Sequence, residues 1–399
     1  MKKTTKLIAA GRPKRRPAHP VNTPVERAST ILFPTYDDYL EGARSIAYGR
    51  LGTSNHRALE QAVNVLEGAH ETRLAGSGLQ ACVIPLLAFA SPGDKVLMTD
   101  AAYDPTRKFC DRFLKRFGVE TVYYDPMIGA SVADLIDDRT TVVFAESPGS
   151  LTFEVQDIPA IAEAAHAKGA RLVVDNTWAA GLCCKPLALG ADVSIQSATK
   201  YMVGHADCLL GTMSAADEEA AKAIFDAQLQ LGVNVSADDA WLALRGLRTL
   251  AVRLKQHEET GLKLAKWLQK RPEVDRVLHP ALKGSPGHAV WKRDFAAASG
   301  LFGVVLKPVP LAALKAFFNA FRLFGMGFSW GGYESLCIHA RPERYRTAKP
   351  WTDEGPVLRI SAGLEDADDL IADLDAAFQS MAAAQSRAAA ESADAEARA

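Results

Sequence analysis

The chain has 399 residues, enough for two or three folding units, and 48% of them are hydrophobic, an ordinary share for a globular core. Lysine and arginine number 46 against 47 aspartate and glutamate, so charge gives no argument for nucleic acid or for an acidic membrane surface, and small-molecule work fits better. The six cysteines, Cys82, Cys110, Cys183, Cys184, Cys208 and Cys337, form no Cys-x-x-Cys pair and have no histidine at metal-ligand spacing; no metal site is expected, and they read as reduced thiols of a cytoplasmic protein.

At the start, Lys2, Lys3, Lys6, Arg12, Lys14, Arg15 and Arg16 precede the first acid, Glu26, without the apolar stretch of a secretion signal. This reads as a flexible arm. No run of about eighteen apolar residues occurs, so a membrane-spanning helix is not expected. From residue 56 helix and strand alternate: a helix over 56–69, a short strand into Gly76-Ser77-Gly78, an apolar helix to residue 90, a strand over 95–100, a helix over 106–117 and a strand over 121–125. Strands over 141–145, 172–175 and 193–196, with a helix over 158–168, complete a mostly parallel sheet covered by helices, an α/β domain. Residues 237–271 read as largely helical, weakened at Gly246 and Gly261. Strands over 301–306 and 357–361 and a helix over 367–378 suggest a smaller C-terminal α/β domain, followed over 382–399 by an alanine-rich fraying helix or flexible tail.

Two strand ends carry the chemistry. Asp192-Val193-Ser194-Ile195-Gln196 runs into Ser197-Ala198-Thr199-Lys200, and Arg171-Leu172-Val173-Val174 ends in Asp175. In an open parallel sheet, residues just past strand C-termini gather at one rim. A lysine amine to condense with an aldehyde and a carboxylate to keep a pyridine nitrogen protonated are the two groups pyridoxal 5'-phosphate requires. Taken singly, Lys200 also reads as an exposed loop lysine and Asp175 as a helix N-cap; their joint placement, with Ser197 and Thr199 as phosphate donors, favours the cofactor.

Gly76-Ser77-Gly78 lies between a strand and a helix, where backbone N–H groups can hold a phosphate. The same glycines with Ala81, and Asp100 at a later strand end, also fit a dinucleotide fingerprint. A nicotinamide-dependent dehydrogenase is therefore the rival from another class, although it leaves Lys200 and Asp175 without a role. Tyr103 follows a strand end and is placed to stack on a flat ring. Arg359, charged within an apolar strand, needs a carboxylate, either that of an amino-acid substrate or that of an internal ion pair. A non-catalytic scaffold on the same fold is the remaining alternative.

Six segments then match in order: Tyr48-Gly49-Arg50-Leu51-Gly52-Thr53, Glu146-Ser147-Pro148-Gly149-Ser150, Asp175-Asn176-Thr177-Trp178-Ala179, Ser197-Ala198-Thr199-Lys200-Tyr201, Ser329-Trp330-Gly331-Gly332-Tyr333-Glu334-Ser335-Leu336 and Gly363-Leu364-Glu365-Asp366. Over residues 48–374 the chain resembles the Cys/Met-metabolism pyridoxal-phosphate enzymes. The resemblance implies the type I, aspartate aminotransferase-like fold of PLP-dependent transferases. It implies an N-terminal arm over 1–55 that reaches a neighbouring subunit, a cofactor domain over 56–247 and a C-terminal domain over 248–381. It implies that Lys200 bonds the cofactor, Asp175 pairs with the pyridine nitrogen and Tyr103 stacks on the ring. Gly78, the N–H of Leu79, Ser197 and Thr199 would contact the phosphate, joined by Tyr48 and Arg50 of a neighbouring subunit in a homotetramer. Arg359, helped by Ser329 and Trp330, would clamp the substrate carboxylate.

In γ-type members of the family, the segment that reads Phe328-Ser329-Trp330 here usually carries an acid at the first position and leucine at the third. Phe328 and Trp330 therefore imply β-elimination of an amino-acid thioether such as L-cystathionine, a carbon–sulfur lyase step of methionine biosynthesis. Cysteine or its conjugates, or a γ-type reaction, are the alternatives within the family.

Overall fold

The computed structural model describes residues 1–12, 18–41 and 47–398. Strands β1 (Glu71–Ala75), β2 (Lys95–Thr99), β3 (Glu120–Tyr124), β4 (Thr140–Glu146), β5 (Arg171–Asp175), β6 (Val193–Ser197) and β7 (Gly211–Ala215) form one sheet in the order β1-β7-β6-β5-β4-β2-β3. β7 runs antiparallel between β1 and β6, and the remaining pairings are parallel. Helices cover both faces, so the central strands are apolar throughout; Val142, Val143, Phe144 and Ala145 of β4 are fully buried.

β7 was not evident from the sequence, because Gly211-Thr212-Met213-Ser214-Ala215 has the small and polar composition of a loop. It is a strand because its backbone pairs with both β1 and β6, and the Ser214 hydroxyl finds a partner across the sheet in Thr72 Oγ1 at 2.8 Å.

The helical stretch expected over 237–271 is two helices, Ala237–Leu247 and Leu250–Leu268, divided at Arg248–Thr249. Gly261 remains inside the second helix, where a side chain would collide with the Gly300 backbone. Beyond it, β8 (Val274–Leu278), β9 (Leu301–Leu306), β10 (Leu336–Ala340) and β11 (Val357–Ser361) form an antiparallel sheet ordered β10-β11-β9-β8. Phe302, Phe317 and Phe378 are buried together against it.

The N-terminal segment differs from the expected flexible arm. Lys3–Ala9 is helical with Leu7 buried, and Arg248 Nη1 donates to the carbonyls of Leu7, Ile8 and Ala10 at 3.2, 2.6 and 2.6 Å. These bonds satisfy the carbonyl-rich end of the short helix and tie it to the domain. Lys14, Arg15 and Arg16 lie outside the described residues. At the other end, the helix expected over 367–378 continues as Ala367–Arg398, through the segment expected to fray. Among the described residues no helix is long and apolar enough to cross a membrane, and all six cysteines are free and buried.

Candidate active site

Because β1, β2, β4, β5 and β6 all point the same way, their C-terminal ends meet at one rim. There they surround a cavity of about 260 Å³ lined by Gly78, Tyr103, Glu146, Asp175, Ser197 and Lys200, with Arg359 of β11 and Phe328, Ser329 and Trp330 of the loop before β10 closing it from the C-terminal side. The structure thus brings together residues that the sequence separates by more than 250 positions.

Lys200 Nζ donates to Ser329 Oγ at 2.7 Å and lies 5.5 Å from the centre of the Trp330 ring. Burial and the nearby Arg359 charge push its pKa down to about 8, against the pull of Asp175. The loop reading of Lys200 therefore does not hold: the amine is mostly buried and faces the cavity. Trp330 is fixed by an edge contact with Tyr201, 5.4 Å between ring centres, and Gly300 N–H donates to the Tyr201 hydroxyl at 3.1 Å. Ser329 itself sits at φ +82°. That is a strained conformation for a side-chain-bearing residue, and it turns the hydroxyl toward Lys200 while the carbonyl accepts from Arg359 Nη2 at 2.8 Å.

Arg359 forms no ion pair among the described residues, and its buried Nε has no hydrogen-bond partner. Burial lowers its pKa to about 10. An unpaired guanidinium facing a cavity is a receptor for a carboxylate, and the internal ion pair considered from sequence is absent.

Asp175 is buried at the floor. Its Oδ1 accepts from Thr177 N and Oγ1, and Cys82 Sγ lies 3.5 Å from Oδ2. Burial raises its pKa, opposed first by the Thr177 donors and last by the Lys200 charge. Beside it in register stands Glu146, the final residue of β4. Glu146 accepts from Tyr103 N at 2.7 Å, and burial and then the Asp175 charge hold its carboxyl well above the usual range. Sequence reasoning quoted Glu146 within a matching segment but gave it no role, although an acid closing an apolar strand was the same signal that identified Asp175. Tyr103, 45% exposed, stands at the cavity edge as a stacking side chain requires.

At the opposite end the helix Gly78–Phe89 begins, with Gln80 N bonded to Ser77 Oγ and Ala81 N to Ser77 O. This leaves the N–H groups of Gly78 and Leu79 at its positive end. A side chain at Gly78 would run into Ser197, so the helix start and the strand end form a close cradle. The Thr199 hydroxyl, however, is turned to Leu210, accepting from its N–H at 3.0 Å and donating to its carbonyl at 3.2 Å.

Tyr48 and Arg50 do not join this cavity. Tyr48 is half-exposed beside residues 26–29 and 234–238, and Arg50 Nη1 donates to Leu229 O at 3.4 Å. Asp100 is consumed structurally: it pairs with Arg107 at 2.8 Å and Arg346 at 3.3 Å and accepts the N–H groups of Thr347 and Lys349. No acceptor is left for a ribose, which removes the dinucleotide reading.

The donor set fits pyridoxal phosphate. There is a cradle for a dianion at the helix start, a buried carboxylate at the floor, an amine of lowered pKa, and an unpaired guanidinium at the wall.

Comparison with known proteins agrees. The family profile of the Cys/Met metabolism PLP-dependent enzymes matches residues 4–379. The cystathionine beta-lyase of Salmonella typhimurium is 45% identical over 385 residues, spanning 94% of this chain and 97% of its own length. The cystathionine beta-lyase MetC of Escherichia coli is also 45% identical over 385 residues, with 94% and 97% covered. Among solved structures, the cystathionine gamma synthase of Xanthomonas oryzae pv. oryzae, crystallised with aminoacrylate and cysteine, matches with a TM-score of 0.89 at 30% identity, over 96% of this chain and 99% of that one. The α/β fold is the same in both.

Proposed function

The chain belongs to the Cys/Met metabolism PLP-dependent enzyme family, and we propose that it is a carbon–sulfur lyase that cleaves L-cystathionine by β-elimination to homocysteine, pyruvate and ammonia, a cytoplasmic step of methionine biosynthesis. The observation that carries the β assignment is the mouth of the cavity. Phe328, 92% exposed, and Trp330 stand there, and among the described residues Lys200 is the one amine that lines the cavity. Removal of a Cα proton and loss of the β-substituent need one base. A γ-reaction needs a further proton transfer at Cβ, for which the segment 328–330 supplies no acid or base.

Bound in this cavity, pyridoxal phosphate would supply the electron sink for charge developing at the substrate Cα. Gly78, Leu79 and Ser197, joined by Thr199 if its hydroxyl turns from Leu210, would hold its phosphate; Tyr103 and Asp175 would hold its ring and Lys200 its aldehyde. Arg359, its fork oriented by the Ser329 carbonyl, receives the substrate carboxylate in a charge-assisted pair. Lys200 Nζ, freed once the substrate amine takes its place at the aldehyde, would take the Cα proton; its pKa, lowered to about 8, gives it a larger share of neutral amine near neutral pH than an ordinary lysine has. Asp175 would stay ionised opposite a protonated ring nitrogen, and Phe328 and Trp330 flank the mouth through which substrate enters. Tyr48 and Arg50, turned away from their own cavity, serve a neighbouring subunit in a homotetramer with shared sites. Beyond its first helix, which packs on its own domain, the arm over 1–55 belongs to that contact, with 56–247 and 248–381 as the two domains and the last helix continuing past them.

The test is thiol release from L-cystathionine by the purified protein, with Lys200→Ala as control. The wild type should release homocysteine, and Lys200→Ala should lose turnover by at least about a hundredfold while remaining folded by circular dichroism. A near-normal rate in the variant would remove Lys200 from the reaction.

A further inference from the structure

The floor of the cavity holds a thiol to which the reaction above assigns nothing. Cys82 lies one turn into the helix Gly78–Phe89 and is 2% exposed. It lines the cavity, and its Sγ is 3.5 Å from Asp175 Oδ2. The two carboxylate oxygens are thus served differently. Oδ1 takes an N–H and an O–H from Thr177, whereas Oδ2 has the thiol. Burial, and after it the Asp175 charge, holds the thiol well above its usual pKa, so the hydrogen stays on sulfur and the group is a donor.

We propose that Cys82 is a positioning residue for the cofactor: its S–H orients Asp175 Oδ2 and favours the ionised carboxylate that pairs with the pyridine nitrogen. A buried carboxylate without donors tends to take up a proton, and a protonated Asp175 offers no charge to a ring cation. Thr177 alone leaves Oδ2 free to depend on the ligand. The thiol is a weak donor, so its contribution is modest, and it acts through Asp175 without touching the substrate.

A packing role and a hydrogen-bonding role predict opposite orders for two small substitutions. If Cys82 only fills space, Cys82→Ser buries an unwanted hydroxyl and is worse than Cys82→Ala. If it donates, Cys82→Ser restores a hydrogen to Oδ2 and is better. The experiment uses the full-length chain stripped of cofactor and titrated with pyridoxal 5'-phosphate, following the visible absorbance, with urea unfolding of each apoprotein in parallel. Cys82→Ala should weaken binding about fivefold, while Cys82→Ser stays within about twofold of wild type, even where its apoprotein is the less stable of the two. In an Asp175→Asn background the effect of Cys82→Ala should vanish. If Cys82→Ala does not fold, Cys82→Val takes its place, with the same order against serine expected.

The inference rests on the pairing of Asp175 with the cofactor, and the two fail differently. Wild-type affinity in Cys82→Ala, or serine binding as weakly as alanine, with Asp175→Asn impaired, overturns the role of Cys82 alone. Wild-type affinity in Asp175→Asn overturns the pairing and this proposal with it.

Discussion

Lys200 illustrates how one side chain carries both function and cost. In the unfolded chain it keeps its proton up to its ordinary 10.5, and in the folded apoprotein it gives the proton up at about 8. Between these values the unfolded state binds more protons, so this residue makes stability rise with pH from about 8 to 10.5 and contributes no slope below that window. Lys200→Met should therefore stabilise the apoprotein near pH 7, by on the order of 3 kcal/mol. The advantage should shrink across the window in urea unfolding measured at several pH values; an advantage that does not change with pH would contradict the burial of the amine. Lys200, Asp175 and Arg359 were legible because charged groups at the ends or interior of apolar strands must be explained. Cys82 was not, because its relation to Asp175, 93 residues away, exists only once the helix Gly78–Phe89 packs on the sheet. Tyr48 and Arg50 were named by resemblance alone, and the folded chain places them apart from Lys200.

The alternation of helix and strand over 56–197 could be read from apolar periodicity, since its central strands are buried on both faces and tolerate few polar residues. β8 and β10 escaped because Val274-Asp275-Arg276-Val277-Leu278 and Leu336-Cys337-Ile338-His339-Ala340 carry polar side chains inside a half-covered antiparallel sheet. The turn after Lys200 depends on an element far along the chain. Arg253, in the helix Leu250–Leu268, donates to Tyr201 O at 2.7 Å, Gly246 O at 2.8 Å and Met202 O at 3.3 Å. The guanidinium presses so closely on Gly204, at φ +73°, that a side chain there would overlap it. Arg253→Met should remove the side-chain donor from Tyr201 O and Met202 O, while Gly246 O keeps Thr249 N and Oγ1; it should cost about 3 kcal/mol in urea unfolding and loosen Lys200. A stability change below about 1 kcal/mol would show that water replaces the arginine.

The molecule joins its two sheets through a buried charge network as well as through the cavity. Asp100, just beyond β2, binds Arg107 of its own domain, and Arg346, Thr347 and Lys349 of the C-terminal region; Arg346 also pairs with Glu154 at 2.9 Å. Burial raises the pKa of Asp100, but the Lys349 and Thr347 N–H groups and Arg107 outweigh it and hold the carboxyl below its ordinary 3.8. Its stabilisation is thus present at neutral pH and lost as pH falls below that value. Asp100→Asn should cost about 3–5 kcal/mol at pH 7 by leaving two arginines short of a partner, with a smaller deficit under acid conditions; an equal deficit at all pH values would contradict the network.

The central claim, that an amine, a buried carboxylate and an unpaired guanidinium around one cavity perform β-elimination, is tested most directly by its products. The purified protein is incubated with L-cystathionine and pyridoxal phosphate, and pyruvate and 2-oxobutyrate are quantified separately. Pyruvate in step with homocysteine is the predicted result; 2-oxobutyrate with cysteine would contradict the β assignment drawn from Phe328 and Trp330.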